Sequence, residues 1–423
     1  MSNNRKLLDD CFLHDKDRMK HAEVLDKIAN NVSVIVDDEI VELDEAAGRI
    51  CAEAIAAPRN VPLTDNSAVD GYAFSHQEYL NSNGQFRLGA LIAAGQTHHV
   101  SLKPGECARI FTGAVMPNNA ESVAMQEDCT ISDDGIICIP AGLKKGANCR
   151  LAGEDLAAGD VLIEQGEYIS PARIAALASI GQAQVKIRKK LRIAIVSTGN
   201  EIIEPGQVIS AGEIYDANRP MLKALLASEL VEISDIGIVP DDEATLTNTL
   251  TTASESHDLI LTSGGASRGD EDHMLNALDK LGKRHLWQIA IKPGRPMMFG
   301  QIKNCIVVGL PGNPVAAFVC SLHYVMQVIS GLTGSKLHKP AGMMVPANFQ
   351  IQNKKTDRRE FLRGWLETDG LGIAKAKKFD RDGSGLISGL RRATGLVEIP
   401  EEVDHVSTDD LVRFIPLHSF KLG

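Results

Sequence analysis

Apolar and polar positions change their spacing several times along the 423-residue chain, and each change marks a different kind of element. Ala22, Leu25, Ile28, Ala29 and Val32 recur at helical intervals. Residues 19–57 therefore read as helical, with a second, Ala- and Glu-rich stretch over 44–57 that Pro58 stops. Across 59–150 the runs shorten, as in 107–111 and 136–139, and Gly, Asn and Pro cut them, which is a β-rich pattern. Ser170-Pro171 opens another helix and Gly181 closes it. From 190 to 332, apolar runs of strand length (191–196, 231–239, 259–262, 286–291, 305–310) alternate with helical segments near 218–229, 242–255 and 272–281, and after Pro314. Near-continuous apolar strands alternating with helices predict a doubly wound parallel sheet covered on both faces. Beyond Pro340 short strands return without helical periodicity, as in a β-barrel-like end domain.

The expected domains are a discontinuous mixed helical one (1–58 with 148–186), an inserted β-rich one (59–147), a central α/β one (187–335) and the β-barrel-like end (336–423). Hydrophobic residues make up 44% and charged residues 23%, which excludes a disordered chain. The net charge of −11 opposes a nucleic-acid partner. One stretch differs: 351–392 carries 11 Lys and Arg against 6 Asp and Glu. Charges interrupt the N-terminus, and no unbroken apolar run reaches the ~20 residues of a membrane span, so the expectation is a cytoplasmic protein without a membrane partner. The eight cysteines are scattered without a C-x-x-C pair, as expected for reduced, packed thiols.

Candidate chemistry gathers where predicted strands end, since ligands of open α/β sheets bind beyond the carboxyl ends of the strands. Four such ends carry Gly- or Pro-rich loops: Ser197-Thr198-Gly199-Asn200-Glu201, Ser263-Gly264-Gly265-Ala266-Ser267 running on to Asp272, Lys292-Pro293-Gly294-Arg295-Pro296, and Pro311-Gly312-Asn313-Pro314. Glycines let backbone amides approach an anion closely. Neither a P-loop nor a G-x-G-x-x-G motif is present. Asp70, Asp155, Glu201, Asp241 and Asp272 all lie in or beside such loops. Singly, each carboxylate is more commonly a cap or a turn residue, and Asp241 or Asp242 fits a helix cap. Carboxylates suited to Mg²⁺ beside Lys292, Arg295 and Arg363, suited to anions, form the layout of a phosphate-handling site.

These loops, together with Asp65-Asn66-Ser67-Ala68-Val69-Asp70-Gly71-Tyr72, Thr112-Gly113-Ala114, Gly153-Glu154-Asp155 and Tyr215-Asp216-Ala217-Asn218-Arg219, resemble the signatures of the molybdopterin molybdenumtransferases, the MoeA and gephyrin E-domain family. The matches run in family order from about 60 to 315, with Arg363 and Gly383-Ser384-Gly385 continuing them. The resemblance implies a central molybdopterin-binding domain and a homodimer whose sites combine one subunit's central domain with its partner's β modules. It implies insertion of molybdenum from molybdate into adenylylated molybdopterin, with Mg²⁺ and release of AMP. The chain would then work beside a molybdopterin-adenylylating enzyme and apo-molybdoenzymes.

Carried over position by position, the resemblance makes Asp70, Thr112, Asp155, Glu201, Asp241 and Asp272 the catalytic set, with Glu201, Asp241 and Asp272 toward the metal. Substrate binding falls to Ser263, Gly264, Gly265, Ser267, Lys292, Arg295, Pro311, Gly312, Asn313, Pro314, Arg363 and Ser384. Molybdate, a dianion, belongs near Lys292, Arg363 and Ser384, with two parallel hydrogen bonds expected from the Arg363 guanidinium. Departures are Asn200 where the family often has Asp, His273 for Tyr, Gln288 for Lys and Arg295 for Lys. Competing readings are a molybdopterin adenylyltransferase, against which the flanking β modules argue, and a non-catalytic scaffold, against which the near-complete acidic set argues.

Overall fold

The computed structural model describes residues 18–96, 100–264, 273–336, 339–381 and 383–420. The chain divides into two units. One holds the described residues up to Glu53, with Gln165–Ser170 and Gln184 onward; the other holds Ala54–Glu164 and Pro171–Ala183.

The first unit is built on six strands: β1 (Leu191–Thr198), β2 (Val231–Val239), β3 (Leu259–Ser263), β4 (Lys283–Gln288), β5 (Pro296–Ile302) and β6 (Cys305–Leu310). Their spatial order is β2-β1-β3-β6-β5-β4. β2, β1, β3 and β6 pair in parallel, while β5 is antiparallel to both β6 and β4. The sheet is thus not wholly parallel, and the sequence reading passed over β5. Only two residues separate β5 from β6, too few for a parallel crossover, so the pair must form a hairpin. Because β5 alone is reversed, β4 points the same way as β6, and the loop after it leaves at the same sheet edge as the others.

The apolar runs are explained by burial on both faces. Ile193, Ile195, Leu259, Leu261, Ile306 and Val308 belong to one core, which also takes Leu222 and Leu226 of helix α1 (Asn218–Leu226). Ala194, Val196, Ile260 and Val307 belong to the other, with Leu246 and Leu250 of α2 (Glu243–Ser256) and Met274 and Leu278 of α3 (His273–Leu281). The segment Pro314–Thr333 is not an unbroken apolar run, since Ser321, His323 and Gln327 interrupt it, yet by length and composition it could span a membrane, with a mean hydropathy of 1.6 over 18 of its 20 residues. In the fold 78% of that stretch is buried, and Ala317, Val319, Leu322, Tyr324, Val328 and Leu332 all serve the first core.

The helix expected over 44–57 is also corrected. His21–Asn31 is helical, but Leu43–Glu45 forms only a 3₁₀ turn, and Ile55–Ala56 pairs with Val161–Ile163. Between them Gly48 N–H bonds to Ile169 O, Cys51 N–H to Glu167 O and Ala52 N–H to Lys186 O. Partners more than a hundred residues away override the local Ala/Glu propensity.

The first unit ends in a small barrel. Arg359–Thr368 lies between Ile291–Lys292 and Gly395–Ile399, followed by Leu411–Pro416 and Met343–Pro346. Ala374–Lys378 also pairs with Arg359–Thr368, and its bridge from Ala376 to Ala347 closes the ring. Phe361, Leu396 and Ile415 join the core beneath the central sheet.

There His21 Nδ1 and the Tyr324 hydroxyl share a 2.8 Å hydrogen bond, with the His323 and Phe361 rings packed around His21. Burial, and then Arg359, push the His21 imidazole down to about 4, and burial lowers His323 as well. A depressed histidine binds its proton more tightly in the unfolded chain, so its contribution is complete above about 6.5 and fades toward pH 4. His21 alone accounts for about 3 kcal/mol over that window. Denaturant titrations from pH 7 to 4 should show stability falling, with a shallower slope for His21→Asn; equal slopes would contradict this assignment.

In the second unit the sheet order is Ser122–Met125, Gly71–Phe74, Glu106–Ile110, Gln85–Ile92, Ile136–Cys138 and Thr130–Ile131. Alternate residues feed two cores, Tyr72 and Phe74 packing with Phe86 and Ile137, and Ala73 with Ala108, Ile110 and Val123.

Candidate functional site

The loops after β1, β2, β3, β4 and β6 leave the first unit's sheet at one edge. After β1, Glu201 is exposed, with its carboxylate over Gly199. After β2, Asp242 caps α2 by accepting from Thr245 N–H at 2.9 Å, and that bonding lowers its carboxyl. Asp241 is thereby free of the capping role. Its backbone N–H donates to Asn200 Oδ1 at 3.2 Å, and its Oδ1 accepts from the Thr198 hydroxyl at 3.4 Å. Asn200, where an Asp was the common alternative, thus supplies the acceptor that joins these two loops.

Ser263, which ends β3, is buried, and after it Gly264 sits at φ +94°, where an added Cβ would lie 2.2 Å from Thr198 O. Only glycine fits so close to the β1 backbone. Three of the expected residues, Gly265, Ser267 and Asp272, lie outside the described residues. Among the described residues no three His, Cys, Asp or Glu side chains converge as a metal site.

The loops after β4 and β6 line a cavity of about 260 Å³ with the barrel. Lys292, Arg295, Pro311, Asn313, Arg363 and Ser384 all face it, so six of the expected substrate-binding residues come together. Arg18, Arg358 and Arg381 join them, giving six cationic lining residues and no carboxylate among the described ones. Gly294, at φ +112°, shapes the wall, because a Cβ there would meet Cys320 Sγ at 2.5 Å. Lys292 lies 3.6 Å from Glu360, and Arg295 donates from Nε and Nη2 to Gln288 Oε1 at 3.3 and 3.2 Å. Pro314 starts the helix Pro314–Cys320, whose Val315 N–H donates to Ser384 O at 3.0 Å.

Arg363 differs from the expected fork. Its Nη1 donates to Leu386 O at 3.0 Å and its Nη2 to Arg381 O at 2.9 Å, and its guanidinium stacks 4.9 Å from the Phe379 ring centre. The side chain therefore lines the cavity while holding the loop that carries Ser384.

Gly312 lies on the loop after β6, its carbonyl accepting from Asn218 Nδ2 at 2.7 Å, and the last three expected residues are in the second unit. Ser67 N–H bonds to Ala114 O and Gly113 N–H to Ser67 O, folding the 66–70 loop onto the 111–114 turn. Asp70 Oδ1 there accepts from Thr112 N–H at 2.8 Å and from the Thr112 hydroxyl at 2.7 Å, which lowers its carboxyl. Asp155 is exposed on a separate turn, its N–H bonded to Val61 O. Thr112→Val removes the hydroxyl donor, so an NMR titration should find the Asp70 carboxyl higher than in wild type. An unmoved titration would show that the backbone amide alone sets it.

Sequence reasoning missed Arg18, Arg358, Arg381 and Asn218 as site residues. Asn218 belonged to a recognised motif, yet its contacts span 45 and 94 positions and leave no local signal.

Three family descriptions match in order: the MoeA N-terminal region (domains I and II) over 19–181, a probable molybdopterin-binding domain over 194–331, and the MoeA C-terminal region (domain IV) over 347–417. A molybdopterin molybdenumtransferase of Haemophilus influenzae is 36% identical over 381 residues, 90% of this chain and 94% of that one. Another, from a Nostoc species, is 34% identical over 90% of this chain and 89% of its own. A crystal structure of a molybdopterin biosynthesis MoeA protein from Pyrococcus horikosii superposes with a TM-score of 0.79 at 29% identity, over 95% of this chain and 99% of that one. With these matches spanning its sequence and its fold, the chain belongs to the MoeA family of molybdenum-cofactor biosynthesis enzymes.

Proposed function

We propose that this protein inserts molybdenum from molybdate into adenylylated molybdopterin, with Mg²⁺, releasing AMP in the cytoplasm. The observation that carries the reading is the separation of charge along one sheet edge. Glu201 and Asp241 stand on the β1 and β2 loops, and the cavity beside the β4 and β6 loops is lined by Lys292, Arg295, Arg363 and three further arginines. A molybdate dianion is repelled by the carboxylates and attracted by the cations, so Lys292, Arg363 and Ser384 receive it. Mg²⁺ commonly takes one or two carboxylates and completes its shell with water and phosphate oxygens, and the Glu201 and Asp241 donors fit that use. When bound, the ion withdraws charge from the phosphoanhydride.

Asp70, Thr112 and Asp155 complete the family set from the second unit, and we assign them to the partner's site in a homodimer. The molybdopterin-adenylylating enzyme and apo-molybdoenzymes are the corresponding supplier and acceptor. Purified protein mixed with adenylylated molybdopterin, molybdate and Mg²⁺ should release AMP and yield a molybdenum-bearing product by mass spectrometry. A scaffold would release none. Mixing Asp70→Ala with Glu201→Ala chains should restore part of the release; no recovery would refute the shared site.

A further inference from the structure

We propose that Asn218 is a positioning residue for the pterin substrate, setting the spacing between the end of β3 and the loop that follows β6. This inference rests on the function proposed above. Asn218 is 6% exposed, and its amide nitrogen donates to Ser263 Oγ and to Gly312 O, each at 2.7 Å. Both protons of one amide are therefore used to join the end of β3 to the loop after β6. The loops are close there: a Cβ on Gly312 would lie 3.9 Å from Gly264 Cα.

Asn218 can do this because the start of α1 is itself anchored. The adjacent Arg219 donates from Nε to Asp216 at 3.0 Å, from Nη1 to Asp235 at 2.5 Å and from Nη2 to Glu204 at 2.5 Å. Asp235 is on β2, and Glu204 is on the loop that carries Glu201. Two successive residues thus connect the elements of four neighbouring strands. Asn218 Oδ1, meanwhile, is buried without a partner among the described residues. Among the described residues the amide thus bonds only through its nitrogen.

The test is steady-state AMP release by wild type, Asn218→Ala and the isosteric Asn218→Asp, with adenylylated molybdopterin varied. Each protein's thermal midpoint is measured alongside. A sheet edge that loses this spacer binds the substrate poorly but reacts it normally once bound. KM should therefore rise about tenfold or more in both variants, with kcat changed far less. A purely structural residue would lower the thermal midpoint and the active fraction without moving KM, and that result would overturn the proposal. Failure of both variants to fold would overturn it too. A wild type without AMP release would instead overturn the proposed function, and this inference with it.

Discussion

Replacing Arg219 by alanine is expected to lower the stability of the unit that carries the central sheet by about 3–5 kcal/mol, the usual cost of removing one member of a buried ion pair. The Arg219 side chain is 8% exposed and contacts three carboxylates. They are not equally exposed: Asp216 is 2% exposed, Asp235 27% and Glu204 41%. Asp235 keeps Lys223 at 2.6 Å, and Glu204 can turn to water, so most of the loss comes from Asp216. Arg219→Lys should fall between, because one ammonium on a flexible stem cannot reach three carboxylates from different elements. In the Arg219→Ala background, Asp216→Asn should recover part of the loss by removing the stranded charge, and a double-mutant cycle in denaturant reads that coupling. A loss below about 1 kcal/mol would mean that water reaches Asp216 and that the anchoring of α1 is weak.

Arg363→Ala should raise the molybdate concentration for half-maximal AMP release by roughly ten- to a hundredfold, as expected for losing one hydrogen bond from a charged donor. Two effects combine. A cation leaves the cavity wall, and the Leu386 and Arg381 carbonyls lose the donor that fixes the loop bearing Ser384. Arg363→Lys keeps the charge but cannot hold two carbonyls and stack on Phe379 together, so it should recover only part. Adenylylated molybdopterin binding should change less. An unchanged molybdate dependence would place the oxyanion away from Arg363, nearer Lys292 and Arg295.

These two arginines show how differently the site was legible. Arg363 is recognisable from its family position and from the basic stretch around it, but not what its fork holds. The Leu386 and Arg381 carbonyls lie 23 and 18 positions away and carry no side-chain signature. Arg219 closes a recognised motif, yet its partners come from a strand, a loop and the segment just before its own helix. The misread helix over 44–57 has the same origin: backbone partners at 167, 169 and 186 outweighed a helical composition.

What the chain determined by itself is whatever depends on near neighbours. Near-continuous apolar runs over 191–196, 259–262 and 305–310 required burial on both faces, and the Gly- and Pro-rich segments after them had to be loops at strand ends. Charge composition already separated a basic C-terminal stretch from an acidic whole. Tertiary structure alone decided that β5 reverses the sheet, that Asp242 rather than Asp241 caps α2, and that cations from residues 18, 292–295 and 358–381 line one cavity. Spacing and propensity act over a few residues. Hydrogen bonds and ion pairs between distant segments depend on which strands become neighbours, and only the closed sheet and barrel settle that.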